Sequence, residues 1–478
     1  VAIVGAGFSG LGMARQLQLA GIDDFVVLER GDEVGGTWRD NRYPGCACDV
    51  RSPLYSWSFE QNPDWSRRYA QAPEIQAYIL DSVRRWGIRD RIRFGCEIVR
   101  STWNEEAGEW TLEAADGRRF VAPFHVGAVG GLTDPRMPAV PGVDSFAGPS
   151  MHSARWDDGV DLRGKRVGVV GTGASAVQIV PSIVDEVASI TVFQRTPAWV
   201  VPRADWAIPR WRRWARRWVP GIMQLSRAVE WATYESRYPA VFGPRPFLRR
   251  LVERLVRRHA RTVVEDPATA EALTPSYTLG CKRVLVAQGW FEAFNRDHVT
   301  LVAAPLDSVS AIGVSAGGEE HELDVLIWCT GFRVDEPLGT AQIRGVGGRD
   351  LAEFWGGRPR AHLGMTVPGF PNSFLLMGPN TALGHNSVLL MAEAQIRYVL
   401  QAIRWARAAP GRTVDVKPEA LDGFVAEVDE RLGAQVWNTG CASWYLTEDG
   451  ENFTIWPGTT AGYRWRVRRF DPGDHVGG

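Results

Sequence analysis

Twice in this chain a short apolar run breaks at glycine and resumes with apolar residues at helical spacing. VAIVGAGFSGLGMARQLQLAG (Val1 to Gly21) reads as a strand, a glycine turn and a helix, and FVVLER follows as a second strand. KRVGVVGTGASAVQIVPSIV (Lys165 to Val184) repeats strand, turn and helix, with ITVFQRTP as its second strand. HVGAVGG (His125 to Gly131) closes the first unit, and LDVLIWCTGF (Leu323 to Phe332) and FPNSFLLMGPN (Phe370 to Asn380) read as later strands returning to it.

The residues at the two turns give them a chemistry. Gly5, Gly7 and Gly10 permit a tight turn and close approach of a pyrophosphate to a helix N-terminus, and Glu29 ends the next strand, where a carboxylate accepts ribose hydroxyls. An acid there favours an adenosine without a 2′-phosphate, hence FAD or NAD. In the second turn Gly171, Gly173 and Ala176 take the glycine positions, and Gln194 and Arg195 stand where the acid stood. Arg195, with Thr196 beside it, suits a 2′-phosphate and so NADP(H). The expected fold class is α/β, with two Rossmann-like dinucleotide-binding domains for FAD and NADP. Their boundaries are expected at 1–145 and 323–478 for a split FAD domain, and at 146–322 for the NADP domain, with a helical insertion at about 203–275.

Composition narrows the class. With 478 residues, 45% hydrophobic and 23% charged, the chain is long enough to bury a core across two or three domains. A net charge of -1 gives no global attraction to nucleic acid, and no apolar run has the length of a membrane span. Six cysteines without paired zinc spacing predict reduced thiols and no metal site; Cys46 and Cys48 lack the gap of a redox pair. The chain opens directly on a strand, so a few preceding residues are expected to be missing; the default placement is cytoplasmic.

FAGPSMHSARWDD, just upstream of the second turn, fits the F-x-G-x3-H-x3-W-(P/D) fingerprint of type I Baeyer–Villiger monooxygenases through Phe146, Gly148, His152, Trp156 and Asp157. Flavin-containing N- and S-monooxygenases usually carry Tyr or Phe in place of Trp156. GGTWRDNRYPGCACD (Gly35 to Asp49), GCKR (Gly280 to Arg283), CTGF and GPNTALGHNSV also resemble segments of the Baeyer–Villiger family, most closely the hydroxyacetophenone monooxygenase branch.

That resemblance implies an enzyme in which NADPH reduces FAD, a C4a-peroxyflavin attacks a ketone carbonyl, and an ester or lactone is released. It implies that Arg283 is the catalytic arginine and Asp49 the acid that orients it. A guanidinium suits the task because it stays charged and donates in a planar fork to growing negative charge. Lys282 is implied to contact the NADP phosphate, and Trp444, on a late control loop, to fold over NADP and keep the site dry. The fingerprint is implied to connect the two domains. Further contacts with the two cofactors are expected from Phe8, Ser9, Arg30, Gly36, Thr37, Trp38, Tyr43, Cys48, Tyr55, Thr172, Ala174, Ser175, Gln178 and Thr330. One departure is Val129, where the first domain's closing turn usually has threonine; Thr330 retains it in the later copy.

The segment PRWRRWARRW carries Trp211, Trp214 and Trp218 on one helical face and arginines mostly on others. Such a basic amphipathic helix lies on a membrane surface or an acidic partner, or packs its tryptophans on the NADP domain with arginines snorkelling outward. The family's helical insertion makes the packed placement the expectation. Three other functions compete: an N- or S-oxygenase, which has little use for the Asp49–Arg283 pair; a disulfide reductase, which needs a redox cysteine pair; and a non-catalytic nucleotide-binding scaffold.

Overall fold

Each of the two main sheets has five parallel strands and carries one glycine turn. The computed structural model describes residues 1–476 except 244–245, 335–340, 439, 441–442 and 448. The first sheet runs in the order Ser373–Leu375, His125–Gly127, Ala2–Val4, Val26–Leu28, Ile92–Arg93. Central Ala2–Val4 has buried neighbours on both sides, as an almost wholly apolar parallel strand requires. The helix Phe8–Leu19 leaves it through the first turn and packs on the long helix Val388–Arg407. A meander of Ile98–Asn104, Glu109–Ala114 and Arg119–Ala122 hangs beside this sheet; alternation along Glu109–Ala114 buries Trp110, Leu112 and Ala114.

The second sheet runs Val299–Val302, Ser189–Phe193, Arg166–Val170, Val325–Trp328, Ser150–His152. This corrects the expectation that 323–332 returns to the first unit. Val325–Trp328 lies between Arg166–Val170 and the fingerprint strand Ser150–His152, and its four residues are buried. The physical reason is that both glycine turns need the same neighbour. A Cβ on Gly5 would stand 2.5 Å from the Ala128 carbonyl oxygen, and one on Gly171 would stand 2.6 Å from that of Cys329. HVGAVGG and WCTGF are thus equivalent strand ends, one for each sheet. The chain re-enters the first unit at Gln342–Arg344, which pairs with Ile98–Asn104, and completes it at Ser373–Leu375.

The insertion is helical as expected, with helices at Arg210–Trp218, Ile222–Glu235, Pro246–Val263 and Pro267–Ala272. Its orientation is a second correction. Trp211, Trp214 and Trp218 are 64%, 61% and 66% exposed, while Arg213 and Arg216 turn inward. Burial depresses the Arg216 pKa, and Arg217 ties the helix to Asp64. Periodicity establishes which residues share a face, but the contacts at Asp64 and the neighbouring helix decide which face points in. A third correction concerns the thiols: Cys281 is disulfide-bonded, whereas Cys46, Cys48, Cys96 and Cys329 are free; Cys441 lies outside the described residues.

Candidate active site

At the first turn Gly5 has φ 105° and a Cβ on Gly10 would stand 1.9 Å from the Gly5 carbonyl oxygen, so neither position admits a side chain. The helix Phe8–Leu19 begins there with no side chain capping its N–H groups, which leaves them open to an anion. Glu29 is buried and accepts from the amides of Ala6 at 2.7 Å and Gly31 at 2.8 Å and from Arg39 at 2.6 Å. Arg30 instead points outward and pairs with Asp134 at 3.0 Å. Gly36 and Thr37 bring the short helix Thr37–Asp40 against Gly7. Beside them Phe8, Trp38 and Tyr55 meet edge to face, and Trp38 Nε1 donates to the Tyr55 hydroxyl at 3.1 Å. Ser9 is partly buried in the first helical turn.

The segment bearing Asp49 crosses to the second unit. Gln178, on the helix Ala176–Ile183, accepts from the Tyr43 hydroxyl and the Ala47 amide at 3.2 Å each and donates to the Ala47 carbonyl at 3.0 Å. Cys48 is buried and its thiol pKa is pushed well up by that burial, so it is a neutral packing residue. Next to it, Arg283 Nη2 donates to Asp49 Oδ2 at 2.5 Å across 234 residues of sequence. The two side chains are 36% and 26% exposed, so the pair is anchored yet accessible. The Asp49 charge, against the opposing effect of burial, holds the Arg283 pKa above its ordinary value. Tyr445 lies close enough to feel that guanidinium, and burial pushes its own pKa up to about 12.

The second turn is more open. Gly173 and Ala174 are exposed, Ser175 precedes the helix without capping it, and Thr172 Oγ1 donates to the Thr196 carbonyl at 3.0 Å. Arg195 is exposed and near Lys282, whose pKa is lowered by burial and then by the Arg195 charge. Lys282 Nζ sits 5.1 Å from the Tyr277 ring centroid. Two cations from segments far apart in sequence, brought together beside the second turn, suit a phosphate.

The fingerprint residues have distinct places. Phe146 and Trp156 are buried, and a Cβ on Gly148 would meet the Asp324 carbonyl oxygen at 2.5 Å. His152 accepts from the Ala154 amide at 3.1 Å, and burial lowers its pKa to about 4, so its imidazole is neutral at neutral pH. Asp157 is exposed and accepts from the Gly159 amide. Thr330 Oγ1 donates to the Arg136 carbonyl at 2.6 Å. Trp444 is 39% exposed and its ring lies 4.3 Å from that of Tyr445, tilted by 55°; of the two rings it is Tyr445 that is buried.

Sequence reasoning missed the helix that holds the Asp49 segment. The Tyr234 hydroxyl accepts from the Arg51 amide at 3.1 Å and donates to the Asp49 carbonyl at 3.3 Å. Glu230 pairs with Arg51, and buried Arg227 donates to the carbonyls of Pro53, Leu54 and Ser56. The signal was present: 227, 230 and 234 share one face of the helix Ile222–Glu235. Arg39 on Glu29 was missed as well.

An α/β chain with two glycine turns, joined through a buried crossing beside an arginine–aspartate pair, has the architecture of a two-nucleotide oxidoreductase. Residues 2–212 match the family described as pyridine nucleotide-disulphide oxidoreductase. A Baeyer–Villiger monooxygenase of Streptomyces coelicolor is 44% identical over 98% of this chain and 91% of its own length. One of Pseudomonas aeruginosa is 41% identical over 98% and 90%. The solved structure of OTEMO in complex with FAD and NADP matches with a TM-score of 0.88 and 27% identity, over 98% of this chain and 96% of that one. The chain belongs to the Baeyer–Villiger monooxygenase family and is a flavin-dependent oxidoreductase. Among the described residues no helix is long and apolar enough to cross a membrane.

Proposed function

We propose that the Arg283–Asp49 pair is the chemical centre of an NADPH- and O2-dependent enzyme that converts a ketone to an ester or lactone. The observation carrying this reading is the 2.5 Å ion pair at the crossing of the two nucleotide units. The balance is ketone, O2, NADPH and a proton in; ester, water and NADP+ out. The first turn fits FAD: its backbone is bare at Gly5 and Gly10, the helix N-terminus is uncapped, and the Glu29 carboxylate is held against the turn by the Ala6 amide, at the end of the second strand where a ribose would be met. The second turn fits NADPH through its open backbone and the Arg195–Lys282 cations. Bound FAD, once reduced, would supply the activation of O2.

The chain's residues do the rest. Arg283 remains protonated and donates to whichever oxygen accumulates negative charge. Asp49 fixes the guanidinium's direction, Gln178 locks its segment to the second unit, and neutral His152 holds the connector without adding charge. Buried Tyr445, beside the guanidinium and against Trp444, would help to keep water from the pair. An amine or sulfide accepts oxygen on a lone pair without forming an oxyanion adduct, so it has little use for this pair. A domain division follows the strands: residues 1–145 and the chain from Gln342 onward form the FAD unit, and the NADP unit extends past Trp328. A cytoplasmic setting, where NADPH is supplied, belongs to the same proposal.

NADPH consumption and product mass should distinguish substrate classes. A panel of cyclic, linear and aryl ketones is expected to yield products heavier by one oxygen atom, whereas turnover of amines or sulfides alone would contradict the proposal. Replacing Arg195 and Lys282 together with alanine should raise KM for NADPH about a hundredfold and leave KM for NADH nearly unchanged. An equal rise for both nucleotides would remove the phosphate role.

A further inference from the structure

Between residues 210 and 261 the sequence has fourteen arginines and three glutamates, in a chain whose net charge is -1. This strongly basic piece is also the most apolar part of the surface. More than half of the exposed large apolar side chains among the described residues fall between 206 and 255. The helix Arg210–Trp218 buries none of its residues, and its three tryptophans recur at i, i+3 and i+7 on the outer face. The next helix, packed against it, exposes Leu225 and Val229 at i and i+4. The helix Pro246–Val263 exposes Phe247 at 73%, with Leu251 and Leu255 continuing the stripe at i+4 and i+8. Arginines flank these stripes, and on the last helix Arg254, Arg257, Arg258 and Arg261 line a cavity of about 360 Å³ with Thr262.

A soluble helix does the reverse, turning its indoles inward and its guanidinium groups to water. Here Arg213 Nε and Arg216 Nη1 are buried without a hydrogen-bond partner while the indoles face out. We propose that the outer faces of these helices dock on an anionic lipid bilayer, with the tryptophans and Phe247 entering the interface and the flanking arginines meeting headgroup phosphates. A bilayer offers what these faces need together: negative charge at its surface and an apolar phase below it. Amphipathic indole rings settle at that boundary. A second copy of the chain would bring like charge against like charge, and a nucleic acid would satisfy the arginines but leave the aliphatic stripes in water. The docking is peripheral, through side chains that the oxidation chemistry does not use.

The test is flotation of the full-length, FAD-loaded protein with vesicles of phosphatidylglycerol and phosphatidylcholine, against phosphatidylcholine alone. The protein is expected to float with the anionic vesicles at low salt and to lose about tenfold in binding when salt is raised. Trp211→Ala, Trp214→Ala and Trp218→Ala combined should weaken binding at least about tenfold while NADPH oxidation and flavin absorbance stay at wild-type levels. Should that variant fail to hold flavin, Phe247→Ser with Leu251→Ser on the other helix should give the same loss. Absence of flotation at low salt, equal binding to neutral vesicles, or full binding by a folded variant would overturn the proposal. So would a dimer, seen by sedimentation velocity, that the tryptophan variant dissolves, or competition by RNA that is indifferent to the tryptophans.

Discussion

Arg283→Ala is expected to leave flavin reduction by NADPH within about threefold of wild type while ester formation falls by about a hundred- to a thousandfold. The two half-reactions separate because Arg283 is committed to Asp49, whereas its neighbour Lys282 lies within the field of Arg195. In the proposed assignment hydride transfer depends on how the second turn, Arg195 and Lys282 seat NADPH, and the contacts of those residues do not run through the Arg283 guanidinium. Oxygen insertion needs a fixed positive charge where an oxygen becomes anionic, and a preorganised donor lost from such a place costs about 3 to 4 kcal/mol of barrier. Removing the arginine also strands Asp49 without its ion-pair partner, at a half-buried site where its charge repels the anion the enzyme must hold. The electrons should then leave as hydrogen peroxide. Stopped-flow absorbance follows reduction, and a peroxide assay beside product mass spectrometry divides the rest. Normal ester yield from the variant would remove Arg283 from the chemistry.

Gly10→Ala should yield a colourless protein. The added methyl carbon would stand 1.9 Å from the Gly5 carbonyl oxygen and 3.3 Å from the Ala128 Cβ, and the first of these neighbours is backbone at a positive φ that cannot yield without opening the turn. That turn holds the uncapped N-terminus of Phe8–Leu19 in position, so shifting it displaces the amides that would meet the FAD pyrophosphate. The expected loss of FAD affinity is at least about a hundredfold, read by flavin absorbance after desalting and by titration back with FAD. The second unit should stay folded, because its sheet forms its hydrogen bonds among its own five strands. Yellow protein with normal FAD retention would show that the first turn does not carry the flavin.

The two glycine turns and their opposite ribose chemistry were legible because both rest on local spacing: strand, turn, helix and next strand lie within some thirty residues. Asp49 and Arg283 were legible only through resemblance, since no local rule links residues 234 positions apart. The sheet that Val325–Trp328 joins is not legible in its sequence, because an apolar run ending at a small-residue turn is equally suited to flank Gly5 or Gly171. Sheet partnership there is decided by the fingerprint strand Ser150–His152, which stands on the far side of it. The outward direction of the tryptophan face is hidden for a related reason. Helical periodicity groups Trp211, Trp214 and Trp218 but carries no sign, and the Arg217–Asp64 contact that supplies the sign is tertiary. Tyr234 escaped because its role runs through a backbone carbonyl, that of Asp49, which leaves no trace in residue identity.

Turnover under heavy-isotope dioxygen shows whether oxygen from O2 enters the ketone. With a ketone that the enzyme accepts and NADPH in excess, the expected product is an ester or lactone carrying one heavy oxygen atom, in an amount matching the NADPH consumed. An unlabelled product, or NADPH consumption that ends in hydrogen peroxide with every ketone tried, would contradict oxygen insertion into a ketone.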